Sequence, residues 1–298
     1  YAPDAYRAMR RAYFPTDEHE RAALYTHLAK RAFPSYELFI FSLVAGAILG
    51  LGYFLNAPGV LFFGALVAPV LTPWIGISLA VVAGAGRLFM QTVVALFVSS
   101  ALVFFTGALA GYATRIFPQP LTFNEAFTHS RLWWYELAVL AIGAILVTIS
   151  FVRSERNPYL PSALVAYGLF LPLSAAGFGL GSGVEGLWPQ GMMVFLVHFA
   201  WATLFCILTL FLLRFYPTSA GGIVLTGSVL IALIAFVSLQ TGFVNWVRIQ
   251  AGLAAPVPVT VTPTQSTPTP LPGVTPSPRP TQTTAFIGVP TATASRTP

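Results

Sequence analysis

Long apolar runs without a formal charge dominate the chain. No Asp, Glu, Lys or Arg lies between Glu37 and Arg87, and further charge-free runs cover 88–114, 137–152, 157–184, 186–213 and 215–247. A membrane-crossing helix needs about 20 mostly apolar residues. A charge at its centre costs roughly 2.5–3.5 kcal/mol on the insertion scale. The runs therefore predict spans. The first is too long for one helix, and Asn56-Ala57-Pro58 divides it, because Pro58 disfavours helix at the residue before it. Seven spans result, at about 36–55, 59–84, 88–112, 134–152, 159–180, 191–213 and 221–245. The alternation of a transmembrane β-barrel is absent, so the predicted fold is an all-α, polytopic transmembrane helix bundle. Trp133, Trp134, Tyr135, Trp188 and Trp246 fall near predicted span ends, as interfacial aromatics do.

The two ends differ from this core. Residues 1–34 hold both basic and acidic groups and no secretory signal pattern. They read as a cytoplasmic amphipathic segment, with Thr16 and Asp17 capping a helix through about Ala32 and Tyr25, Leu28 and Ala29 on its apolar face. An interfacial helix, a domain stub and a simple connector all fit. The chain starts at Tyr1 rather than Met, which reads as a fragment. Residues 35–250 form the transmembrane domain. Residues 251–298 are rich in Thr and Pro and read as a disordered, polyproline-like extracytoplasmic stalk.

Composition agrees and excludes much else. Hydrophobic residues make up 56% of the 298 residues and charged residues 8%, against about 25% charged in soluble domains. The mean hydropathy is +0.76. The net charge of +6 does not mark a nucleic-acid surface, because the 15 basic residues are scattered. Their bias sets orientation instead. With the N-terminus in the cytoplasm of a plasma-membrane protein, Arg87, Arg153, Arg156 and Arg214 fall in inner loops, against Arg115 and Arg131 in outer ones. Seven crossings then place the C-terminus outside.

The first six spans read as three spans written twice. Tyr36-Glu37-Leu38 matches Tyr135-Glu136-Leu137, Gly46-Ala47-Ile48-Leu49 matches Gly143-Ala144-Ile145-Leu146, and Ala65-Leu66-Val67-Ala68 matches Ala163-Leu164-Val165-Ala166. The near-constant offset predicts repeats over about 35–112 and 134–213, with the seventh span as an extra helix. Three spans per unit is odd, so the plan is a 3+3 inverted repeat, as in many secondary transporters. The second span carries Pro69 and Pro73, and the fifth carries Gly168, Pro172 and Ser174. Proline breaks a helix and frees backbone carbonyls. Broken helices at matching positions point to a midplane site, with Thr72 and Ser174 as hydroxyl ligands. A kink satisfied by neighbouring helices is the plainer reading.

These residues also carry a resemblance. Gly64, Ala65, Ala68, Pro69, Thr72 and Pro73, after the 56–58 turn, resemble the signature of the family called domain of unknown function 389. Ala163–Gly183 resembles a second motif of that family, with Ala166 and Tyr167 near where its paired prolines belong. The resemblance covers about 35–214. It implies a multi-pass membrane protein and no established activity.

Few groups remain for chemistry. Glu37 and Glu136 occupy matching repeat positions and are candidate ion-coupling carboxylates, or interfacial residues at helix N-termini, where negative charge is favoured. His198 lies inside the sixth span, as a functional ionisable group or an interhelical hydrogen-bond partner. The pairs Gly46/Gly50 and Gly107/Gly111 predict close helix packing. Cys206 stands alone, with no metal-ligand spacing, phosphate loop or Ser-His-Asp set around it. We expect no enzyme, metal or cofactor. Two functions fit: a transporter- or channel-like bundle for an ion or small solute, or a membrane anchor or scaffold presenting the stalk. Expected partners are the lipid bilayer, that solute and a homo-oligomeric copy, and no nucleic acid.

Overall fold

A computed structural model describes residues 18–69, 71–117, 122–153, 159–217 and 219–242. The expected caps Thr16 and Asp17, Trp246 and the Thr/Pro stalk lie outside the described residues. Within them the chain is all-helical, with no strand. The helices are α1 (Glu18–Arg31), α2 (Tyr36–Phe54), α3 (Pro58–Val67), α4 (Leu71–Ala83), α5 (Gly86–Ile116), α6 (Asn124–His129), α7 (Trp134–Arg153), α8 (Tyr159–Ser182), α9 (Leu187–Leu212) and α10 (Ala220–Gln240). Six of them, α2, α5, α7, α8, α9 and α10, are long and apolar enough to cross a membrane. The pair α3–α4, bent by 53°, makes a seventh when taken as one span.

The turn before α3 forms as its residues require. Asn56 takes a left-handed backbone, φ 49°, which its short polar side chain tolerates. Pro58 occupies the first turn of α3, where a missing N–H costs nothing. Pro69 then ends that helix. Ala68 before it is extended, φ −71° and ψ 123°, as a residue preceding proline prefers.

The fifth span corrects the expectation of a second broken helix. α8 runs unbroken from Tyr159 to Ser182 with Pro172 inside it. Pro172 has no N–H for the carbonyl four residues back, that of Gly168. A side chain on another helix takes that carbonyl, so the helix continues.

α8 is the centre of the bundle. Of its apolar window 78% is buried, against 17% for the peripheral α10. It packs on α5, α9, α7 and α3. Between apolar helices in lipid there is little hydrophobic drive, so close contact of small residues has to hold them. A Cβ on Gly111 would strike the Phe178 carbonyl oxygen, and one on Gly107 would lie 2.5 Å from that of Ser174. On the facing helix, Gly177 and Gly181 meet the carbonyls of Phe104 and Ala108. The Gly107/Gly111 pair therefore interlocks with a second pair, Gly177/Gly181. Gly46 and Gly50 of α2 pack against Val103, Thr106 and Ala110 of α5 in the same way. Buried polar bonds add specificity: Ser42 and Ser99 join α2 to α5 at 2.6 Å, and the Trp74 indole donates to Thr203 at 3.2 Å.

Outward surfaces are apolar. Phe97, Phe105, Leu109 and Val224 are each more than 60% exposed, which suits hydrocarbon rather than water. α1 lies against this bundle and not apart from it. Its Leu28 is fully buried, Tyr25 meets Phe215 edge-on at 5.1 Å, and Arg31 donates to the Phe151 carbonyl at 2.9 Å.

Candidate functional site

A cavity of about 330 Å³ lies between α6, α7, α8 and α9. Its walls are apolar where Val139, Leu140, Leu164 and Pro172 face it, and polar where Glu125, Glu136, His129, His198 and Tyr167 do. Among the described residues, two carboxylates line it and no Lys or Arg does.

The depth of this cavity follows from helix register. The Trp201 indole donates to the Leu137 carbonyl at 2.8 Å, and Thr148 donates to Cys206 Sγ at 3.2 Å. α7 and α9 thus run in the same direction, with the first turn of α7 level with the middle of α9. At about 1.5 Å per residue, His198 lies roughly 16 Å along α9 from Leu187. Glu136, in the first turn of α7, is held at that depth.

His198 is 2% exposed. Its Nδ1 is 2.7 Å from the Gly168 carbonyl oxygen. A carbonyl only accepts, so Nδ1 carries a hydrogen and donates it. Nε2 faces Glu136 Oε2 at 3.9 Å and is buried with no hydrogen-bond partner among the described residues. Two acceptors face each other, a carboxylate oxygen and, in the neutral ring, a nitrogen lone pair. A proton on one of them, or a donor group placed between them, is needed to satisfy both.

A second imidazole closes the top of the cavity. The Asn56 side chain accepts from the Glu125 N–H at 3.0 Å and so ties α6 to the α2–α3 turn. Glu125 and His129, one turn apart on α6, approach to 3.6 Å. His129 Nε2 also lies 3.4 Å from the Tyr167 hydroxyl, and its ring sits edge-on to Tyr53 and Tyr167. Burial, and then the nearby His198, lower the pKa of His129 to about 4, so it is neutral near pH 7. The Tyr53 hydroxyl donates to the Leu171 carbonyl at 2.9 Å and braces the same stretch of α8.

The family model of a Domain of unknown function (DUF389) matches residues 65–209. That segment is a DUF389 domain. No curated protein and no solved structure matches the chain. Every residue that lines the cavity lies within the DUF389 segment.

Of the residues singled out in the sequence, the structure brings together Glu136, Gly168, Pro172 and His198. It places the others elsewhere. Pro69 is half-buried in the α3–α4 break, Thr72 is half-buried and Pro73 buried in α4, and none of them lines this cavity. Ser174 is buried in the α5–α8 contact with its hydroxyl unpartnered. Glu37 is exposed at the start of α2. Sequence reasoning passed over Glu125 and His129, and met Tyr167 only as a position of the second family motif. Glu125 and His129 do carry a signal, the four-residue spacing that puts two side chains on one helical face.

Proposed function

We propose that this bundle is a transporter- or channel-like pathway for an ion or small solute, and that the α6–α9 cavity is its site. The observation that carries this reading is the Glu136–His198 pair, held at mid-helix depth against a carbonyl that Pro172 leaves free. Ionisable groups at such depth are expensive and are retained at ion and solute pathways. The matching packing of the two halves supports an inverted repeat: α2 packs on α5 as α7 does on α9, and α5 on α8 as α9 does on α4. On this reading the chain catalyses no reaction and sits in the plasma membrane with a cytoplasmic N-terminus.

Cysteine accessibility tests it. In a Cys206→Ser background, single cysteines replace Thr128, Leu140 or Tyr167. An aqueous methanethiosulfonate reagent should modify them faster than a lipid-facing control at Phe105. If none of the three reacts from either side, no wet path exists and the chain is better read as a non-transporting anchor. Tags at the two ends should report opposite faces of the membrane.

A further inference from the structure

Among the described residues, the formal charges that line the cavity are of one sign only. Glu125 and Glu136 offer carboxylate oxygens, and His198 Nε2 turns a lone pair toward Glu136 because Nδ1 is committed to Gly168. Among the described residues no cationic side chain lines the space. The site therefore lacks a cationic donor, and an anion would meet two carboxylates with only neutral donors, Thr128, His129, Tyr135 and Tyr167, to offset them. A bare metal ion fits poorly as well. Among the described residues no three His, Cys, Asp or Glu groups are placed to hold one, and hard cations need six or more oxygens. The volume exceeds that of a lone ion, and much of its wall is Val139, Leu140, Leu164 and Pro172. An ammonium head with a short hydrocarbon body matches both halves of that lining. The head supplies N–H donors, the tyrosines at 135 and 167 add aromatic rings, a residue type that attracts cations, to the lining, and the body covers the apolar wall.

We propose that the cavity binds a small primary ammonium ion in exchange for the proton that Glu136 and His198 share. In the empty site one proton lies between Glu136 Oε2 and His198 Nε2, on either atom. The ammonium ion enters, its N–H groups donate to both acceptors, and that one proton leaves to solvent. One positive charge replaces another and no other bond is made or broken. The titratable groups that face the pair are Glu125 and His129 of α6, Tyr135 of α7 and Tyr167 of α8, and none of them brings a positive charge at neutral pH.

This inference rests on the cavity being the solute site proposed above. The test uses the purified full chain in detergent, with butylammonium as the probe. n-Butanol, butyrate and sodium at equal ionic strength serve as comparisons. Butylammonium alone should raise the thermal midpoint, since a ligand of the native state stabilises by mass action. Its affinity should rise about tenfold per pH unit while the pair holds its proton and level off above that range. Titration calorimetry in buffers of different ionisation enthalpy should register one proton released per ion bound. Glu136→Gln should lose both the shift and the proton release, and Glu185→Gln, in an exposed loop, should keep them. Should Glu136→Gln fail to fold, proton release by the native chain decides. Equal stabilisation by butanol or sodium, binding without pH dependence, or no binding overturns the inference. A cavity that reacts with aqueous thiol reagent yet ignores butylammonium removes this inference alone. One that never reacts removes the solute site with it.

Discussion

His198 donates from Nδ1 to the carbonyl of Gly168, and that carbonyl is free because Pro172, four residues on, has no N–H. One imino acid thereby fixes which nitrogen of a buried histidine carries hydrogen. Pro172→Ala supplies the missing N–H and makes it compete for the same oxygen. The native protein should show His198 Nδ1 protonated throughout, by ¹⁵N spectroscopy of labelled histidine. Pro172→Ala should add a population with Nδ1 bare. An unchanged spectrum in the variant would mean that something other than Gly168 sets the tautomer.

The glycine pairs of α5 and α8 should be far less tolerant than glycines elsewhere. Gly111→Ala or Gly177→Ala drives a methyl group into a carbonyl oxygen of the facing helix, and overpacking of this kind costs about 1–3 kcal/mol. Gly227→Ala on α10 meets open space and should stabilise its helix by about 0.5–1 kcal/mol. Thermal midpoints in detergent distinguish them. Equal midpoints would show that α5 and α8 can separate at little cost.

Acid should destabilise the fold through His129. Its folded pKa is lowered to about 4 from an ordinary value near 6.5. Between these values the unfolded chain binds the proton and the folded chain does not. Stability therefore falls as pH drops from about 6.5 to 4, by on the order of 3 kcal/mol at about 1.4 kcal/mol per pH unit. His129→Gln should flatten that part of the midpoint-versus-pH curve. If the variant keeps the full slope, the proton is taken up elsewhere.

The spans were legible because lipid imposes a simple condition, about 20 residues without charge, that any reader of Glu37 to Arg87 can apply. The break at Pro69 was legible because proline constrains the residue just before it, Ala68. The unbroken α8 was not, because whether a proline breaks a helix depends on who takes the orphaned carbonyl, and His198 is 30 residues away in sequence. The upper wall of the cavity was hidden too. Glu125 and His129 lie between two spans, in a stretch where polarity is unremarked, and the contacts that bring them over Tyr167, the Glu125 N–H on Asn56 and His129 against Tyr53 and Tyr167, join residues far apart in sequence. Glu37 and Glu136 matched as sequence and separated in space, one exposed and one turned inward, since surroundings rather than spacing decide what a carboxylate meets.

Arg31 holds the last turn of α7 by its Phe151 carbonyl and lies over that residue's ring, 4.5 Å from its centroid. The first turn of the same helix carries Glu136. α7 is therefore a strut of about 30 Å, gripped by α1 at one end and reaching the cavity at the other. A load applied to α1 is a load on the carboxylate.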